Sequence, residues 1–367
     1  MKFSVSQSAL AGALAVVSKG MASNSTLPIL SGVYIKAEEG VLEFQTTNLT
    51  ISIRHKIQAN VEEAGATVLS GKILSNIVKT LPDSAVSFEG AGHTVLISCE
   101  KSKFRLNTLE AGDFPEFPDL SPDRSIELPS GLLSQMVDKV YKVTSKDSSR
   151  PILSGILLSV EENTIRLVAT DSYRLAVCDS NTETSSVDEA FVAIVPGNTF
   201  HDVLTLPSMT EEVMVGITDS QVVFSFGNTT YVSRKIDGTF PNYRQLLPPS
   251  CTTSVRIDVP QFAAALKRVS VIALANPSVR FDIDADDKVL KLSASSPDQG
   301  ESTELLPVEV EGEGMAIALN YHYVFDCVNA ATGQDSITLE LQSAMQPGIF
   351  KSYSKINYLY LLMPVRM

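Results

Sequence analysis

The sequence predicts an α+β protein made of three similar domains, each packing two helices on antiparallel sheets. Three observations carry this reading: a segment repeats at domain length, alternating strands dominate each copy, and two amphipathic helices recur within it.

The repeat sets the organisation. Pro28-Ile29-Leu30-Ser31-Gly32 returns 123 residues later as Pro151-Ile152-Leu153-Ser154-Gly155, and residues 33–39 continue to match 156–162 without a gap. Gly71 through Pro82 resembles Gly197 through Pro207, and Asp113-Phe114-Pro115 answers Thr239-Phe240-Pro241. In a fainter third copy, Asn276-Pro277 leads into Val279-Arg280-Phe281-Asp282-Ile283, where the strand begun by Pro-Ile-Leu is expected. The period is too long for a solenoid or a propeller blade, so the repeating unit is a domain. The 367 residues divide into 1–122, 123–250 and 251–367, with breaks near Pro122 and in Leu247-Pro248-Pro249-Ser250.

Strands are predicted where apolar and polar residues alternate: Val41 to Gln45, Ile51 to His55, Val86 to Glu89 and Phe104 to Asn107. The second copy repeats the pattern at Ile165 to Val168 and Val222 to Phe226. Helices are predicted where the apolar spacing turns helical: Leu10, Leu14 and Val17; Ile73, Leu74, Ile77, Val78 and Leu81; and Leu132, Leu133, Met136, Val137, Val140 and Tyr141. A further helix is expected from Gln261 to Ile272.

Away from these stripes lie lysines. Lys139, Lys142 and Lys146 fall at i, i+3 and i+7, Lys72 and Lys79 share a face with Asn76, and Lys267 adjoins Arg268. Such a face is either ordinarily solvated or, in a repeated array, a weakly positive surface. The chain as a whole is acidic, with a formal net charge of −13 and a sequence pI of 4.8. That argues against tight phosphate binding but leaves a local basic face open.

At 44% apolar and 19% charged, the composition is that of a soluble globular protein. No apolar run is long enough to span a membrane, and Met1-Lys2-Phe3-Ser4-Val5-Ser6 alternates like a strand, unlike a signal peptide. Cys99, Cys178, Cys251 and Cys327 stand singly, which fits a reducing cytoplasm. No phosphate-binding loop, dinucleotide turn, zinc-protease motif or nucleophile elbow occurs, and His55, His93, His201 and His322 are far apart. Neither a metal nor another cofactor is expected.

Two stretches stand outside the repeat. Ala169-Thr170-Asp171-Ser172-Tyr173-Arg174-Leu175-Ala176 carries a Tyr-Arg pair where the first copy has Thr46-Thr47-Asn48-Leu49-Thr50-Ile51-Ser52. It is either a turn capped by Asp171 with Arg174 in a surface ion pair, or a loop that has specialised. The chain end, Tyr358 through Met367, is apolar although termini are usually polar, so it is either a core strand or part of a docking groove.

Thr26-Leu27-Pro28-Ile29-Leu30, Ala169-Thr170-Asp171 with Arg174-Leu175-Ala176, Gly238-Thr239-Phe240-Pro241-Asn242-Tyr243 and Leu362-Met363-Pro364-Val365-Arg366 together resemble the bacterial DNA polymerase III beta subunit family, the sliding clamps of replication. The resemblance runs the full length. It implies the DNA clamp fold and a head-to-tail homodimeric ring whose sheets continue across the joints and whose twelve helices face encircled duplex DNA. The ring would tether the replicative polymerase, the clamp loader and other polymerases and repair proteins without sequence preference and without catalysis.

The resemblance also implies site residues. A partner peptide with a glutamine and two apolar anchors would lie between the second and third domains against Leu153, Thr170, Ser172, Tyr173, Arg174 and Leu175. Further walls would come from Pro241, Leu246, Asn320, Tyr323, Met363, Pro364, Val365 and Arg366, with Met345 and Pro347 as a candidate rim. DNA would meet Lys72, Lys79, Lys139, Lys142, Lys146 and Lys267. Phe104 and Leu106 of one chain would pack on Val271 and Ile272 of the other, unless they belong to their own domain cores. Many relatives have Gly-His at Ser172-Tyr173 and a basic residue at Asn24, so groove shape and one DNA contact differ here. Two other classes compete: a β-rich enzyme with a site at a domain junction, and a tandem-domain adhesive protein.

Overall fold

The computed structural model describes all residues except 24, 119–120, 162–163, 182–189, 274–276 and 366–367. Asn24, Asn276 and Arg366 therefore lie outside the described residues. The chain forms two compact units, Met1–Leu132 with Thr199–Lys235, and Leu133–Asn198 with Ile236–Met367.

In the first unit, an antiparallel sheet of five strands runs in the order Asn60–Glu63, Lys2–Ser6, Ala85–Ala91, Thr94–Cys99, Ser102–Asn107. A second sheet of eight runs Arg124–Pro129, Glu212–Ile217, Gln221–Phe226, Thr229–Arg234, Ile51–Gln58, Val41–Thr47, Gly32–Glu38, Gly65–Ser70. In the second unit, nine strands run Phe191–Pro196, Gly155–Glu161, Thr164–Thr170, Arg174–Asn181, Asn357–Leu362, Gly348–Ser352, Ser336–Leu341, Thr253–Asp258, Glu309–Gly312. The remaining four run Gly300–Pro307, Val289–Ser296, Ser278–Asp284, Met315–Asn320. The two large sheets thus join strands of neighbouring sequence domains. Thr229–Arg234 pairs with Ile51–Gln58, and Asn357–Leu362 pairs with Arg174–Asn181.

Six α-helices occur among the described residues: α1 (Gln7–Val17), α2 (Gly71–Thr80), α3 (Ser130–Val140), α4 (Gly197–Leu204), α5 (Val259–Val269) and α6 (Tyr321–Ala330). Their starts are written in the sequence. The Ser6 hydroxyl accepts from the Ala9 amide at 3.2 Å, Asp258 from Gln261 at 2.8 Å and Asn320 from His322 at 3.0 Å. The stripes are buried as expected in α1 and α3, each buried Leu or Val contributing about 1.5–3 kcal/mol. In α2, Ile73 stands exposed and Ile77 half-buried while Leu74 and Val78 fill the core, and Tyr141, just past α3, is half-buried.

The repeated Pro-Ile-Leu-Ser is a single 3₁₀ turn, not the start of a strand, in both copies. Proline at its first position fixes φ and needs no partner for a missing N–H. The glycine that follows opens the strand. A Cβ at Gly32 would come within 2.5 Å of Val68, and one at Gly155 within 2.5 Å of Ile194, so space rather than backbone angle demands glycine at both.

Candidate docking groove

The groove is built on the hairpin turn between Thr164–Thr170 and Arg174–Asn181. Asp171 Oδ1 accepts from the amides of Tyr173 and Arg174, at 3.0 Å each, and the Thr170 hydroxyl donates to the Arg174 carbonyl at 2.8 Å. Ser172 takes φ +78°, a left-handed conformation that the Asx turn supports. The result turns Tyr173 outward, 61% exposed. Arg150 steadies the turn by donating to the Ser172 hydroxyl at 2.9 Å.

Arg174 points the other way. It is only 7% exposed, and its guanidinium is committed to internal partners. Nε donates to Asp171 at 2.9 Å, Nη1 to Asp326 at 2.6 Å and to the Tyr360 hydroxyl at 3.2 Å, and Nη2 to the Lys142 carbonyl at 2.6 Å. It also lies over the Tyr323 ring, 4.2 Å from the centroid. Burial works against its charge, but Tyr360, Asp326 and Asp171 outweigh it and hold the pKa above the usual arginine value. Arg174 is thus ion-paired in the interior rather than at the surface, tying the turn to α6 and to the last strand.

That last strand completes the site. The apolar chain end is a core strand, Asn357–Leu362, whose continuation runs beside the Asp171 turn. The Met363 amide donates to the Tyr173 carbonyl at 3.0 Å, and the Val365 amide to Ala318 at 2.9 Å. These bonds leave Met363 exposed beside Tyr173. Leu175, directly opposite Leu361, belongs to a buried cluster with Val168, Val177 and Ile349, against which Phe240, Tyr243 and Leu247 pack.

Of the sequence-predicted groove residues, Leu153, Thr170, Arg174 and Leu175 are buried support. Asn320 uses Oδ1 to cap α6, and Tyr323, Pro364 and Val365 are half-buried. Ser172, Tyr173, Pro241, Leu246 and Met363 are exposed, as is the candidate rim residue Met345. Sequence reasoning missed Asp326, Tyr360 and Arg150. The first two reach Arg174 only through the fold, although Arg150, next to the repeated Pro151, was within reach. A cavity of about 920 Å³ opens beside Arg174, Tyr173 and Tyr323, lined also by Lys142, Lys146 and Asp147.

Lys72, Lys79, Lys142, Lys146 and Lys267 are exposed; Lys142 also approaches Asp326 at 3.8 Å. Lys139 corrects the expectation of a solvent-facing row. Its ammonium donates to the Ala330 carbonyl and sits 5.2 Å from the Tyr358 ring centroid, and burial lowers its pKa. Phe104 and Leu106 are half-buried on the edge strand Ser102–Asn107, while Val271 is 60% exposed and Ile272 half-buried just after α5. The edge strand Gly300–Pro307 adds Leu305, 64% exposed. Among the described residues no cluster of three candidate metal ligands occurs, and no helix is long and apolar enough to cross a membrane.

Comparison with known proteins agrees along the whole chain. Residues 1–118 match the N-terminal domain of the DNA polymerase III beta subunit, residues 127–242 its central domain and residues 244–366 its C-terminal domain. The beta sliding clamp of Synechococcus elongatus is 29% identical, with 100% of each chain covered. Among solved structures, the Bacillus subtilis DNA polymerase sliding clamp superposes with a TM-score of 0.94 at 28% identity, covering 100% of this chain and 99% of that one. A Bartonella birtlesii sliding clamp solved bound to griselimycin gives 0.92 at 28% identity, with 100% of each chain covered. The chain therefore belongs to the DNA polymerase III beta subunit family: it is a sliding clamp, a processivity factor of DNA replication and not an enzyme.

Proposed function

We propose that two copies of this chain close head-to-tail into a ring around duplex DNA, and that replication proteins dock in the groove built on Tyr173 and Met363. One observation carries the ring: the chain makes the same joint twice and leaves its parts over for a third. In each internal joint, the last strand of one sequence domain pairs with the strand that follows the Asn48 or Asp171 turn of the domain before. The corresponding strands, Ser102–Asn107 of the first domain and Gly300–Pro307 of the third, are sheet edges with no second partner strand among the described residues. An exposed edge with half-buried apolar residues invites a partner strand. Two internal joints in each of two chains make four, and two pairings of these edges between the chains complete the six of a six-domain ring.

The register transfers from the internal joints. Tyr231 lies opposite Ile53 and Tyr360 opposite Ala176; extended through the hairpin ladders, the proposed register pairs Phe104 with Ser302 of a second chain and Arg105 with its Glu301. Opposite charges on facing residues favour this pairing, and Val271 with Leu305 offers apolar cover for Phe104 and Leu106.

Lys72, Lys79, Lys142, Lys146 and Lys267 make a sparse contact with the phosphates, weak enough to slide and sensitive to salt. Replicative polymerase, clamp loader and repair proteins dock by a short segment with a glutamine and two apolar anchors, and the assembly works in the cytoplasm. The test is retention on DNA. Loaded protein should stay on a nicked circular plasmid during gel filtration and run off once the plasmid is linearised. Equal loss from both forms would contradict encirclement.

A further inference from the structure

A second cavity, of about 490 Å³, lies on the face of the nine-stranded sheet that carries Thr170 and Leu175. The register establishes the continuity. Leu175 is opposite Thr170 and Leu361; two residues on, Val177 is opposite Val168 and Leu359; two further, Asp179 is opposite Arg166 and Asn357. Side chains alternate along a strand, so these three rows share one face. On the docking reading above, the first row, with Thr170 and Leu175, is the groove's floor; Val177, Leu359 and the third row line the cavity. The domain linker covers this face: Phe240, Tyr243 and Leu247 pack on the Leu175 cluster, and Tyr243, Arg244 and Leu247 line the cavity, with Tyr353 exposed at its mouth.

The cavity combines an apolar floor with a cationic rim. Arg166 pairs with Asp179 at 3.8 Å, and Lys351 with Glu340 at 2.6 Å. Arg244 is exposed and has no carboxylate partner among the described residues. The volume is that of a small-ligand pocket.

Resting on the docking reading above, we propose that this cavity is an extension subsite. It takes one apolar side chain and an adjoining carboxylate from the flank of the partner segment whose anchors occupy the groove. Val177 lies about 7 Å along the strand from Leu175, so three or four residues beyond the anchors reach it. Charge and continuity select an acidic, apolar peptide flank: the floor prolongs the groove, and the unmatched charge at the rim is positive.

The test measures binding of labelled peptides to the full-length protein by fluorescence anisotropy. The core peptide carries a glutamine and two leucines; extended forms add Asp-Asp-Phe-Gly at either end. On the wild-type protein, one extended form should bind about tenfold tighter than the core, the gain expected from burying one large side chain. Arg244→Glu and Tyr353→Ala, both surface changes, should each erase most of that gain and leave core binding unchanged. Equal affinity of core and extended peptides would overturn the subsite. So would a loss in Arg244→Glu that falls equally on the core peptide. Shifts of the Val177 and Leu359 methyl resonances with 2-naphthoate, without any gain from extension, would make the cavity a small-molecule site and also overturn the proposal. A core peptide that fails to bind at all would contradict the groove itself, and the extension with it.

Discussion

The two internal joints share a backbone and differ in what they present. Thr47, Asn48 and Leu49 in the first repeat the hydrogen bonds of Thr170, Asp171 and Ser172 in the second. The Thr47 hydroxyl donates to the Ile51 carbonyl at 3.0 Å, and Asn48 accepts from the amides of Thr50 and Ile51 at 3.0 and 2.8 Å. Leu49 takes φ +71°, close to the +78° of Ser172. The Arg234 amide donates to Thr50 as Met363 does to Tyr173, and Lys19 pairs with Asp202 where Lys142 pairs with Asp326. Yet Ile51 stands where Arg174 does, Thr50 for Tyr173, and Arg234-Lys235 for Met363-Pro364. Duplication supplied the geometry. On the proposed reading, an interior arginine and an apolar rim distinguish the joint that docks partners.

The largest break in this comparison should come from Arg174→Ala. It strands Asp171 and Asp326 without their cation and should cost about 3–5 kcal/mol in urea unfolding, with peptide binding lost. Asp202→Ala at the corresponding exposed pair should cost under about 1 kcal/mol. Similar losses in the two variants would mean that the joints are energetically alike.

Next in size is the rim. Tyr173→Ala and Met363→Ala should each weaken peptide binding by about tenfold or more while unfolding stability stays within about 0.5 kcal/mol. Thr50→Ala in the first joint should leave binding untouched. Smaller again, Lys72→Gln with Lys79→Gln should lower the salt sensitivity of DNA binding, whereas Lys139→Gln, whose charge is turned inward, should leave it unchanged.

The smallest effect concerns pH. His55 accompanies the first joint, bonded to Thr229 at 2.9 Å, where the second has Cys178. Burial lowers its pKa, so in the acid range the unfolded chain binds a proton that the folded chain refuses. Its contribution is full above the unfolded value of about 6.5 and is lost as pH falls through the lower folded value. His55→Gln should flatten unfolding stability in that window, and an unchanged pH profile would remove His55 from the account.

Much of this was legible in the sequence because it is local or periodic. The domain repeat, the apolar stripes of α1 and α3 and the divergent Asp171 turn all announce themselves within a few residues. The lysine row failed for a definite reason. α3 ends at Val140 and a 3₁₀ turn follows, so spacing counted on past Lys139 no longer tracks one helical face; a long side chain is also free to turn its head inward. Arg174 stood out as unusual, but its burial did not, because Asp326 and Tyr360 reach it across more than 150 residues of chain.

The central claim is that the two unpaired edges make the third joint between chains. Phe104→Cys with Ser302→Cys, on a background where exposed Cys251 is changed to Ser, tests it by oxidation and denaturing mass analysis. The account predicts a covalent species of twice 39.6 kDa that reduction returns to monomer. A chain that stays monomeric under oxidation, at concentrations where the wild type sediments as a dimer, would contradict the register and the joint it rests on.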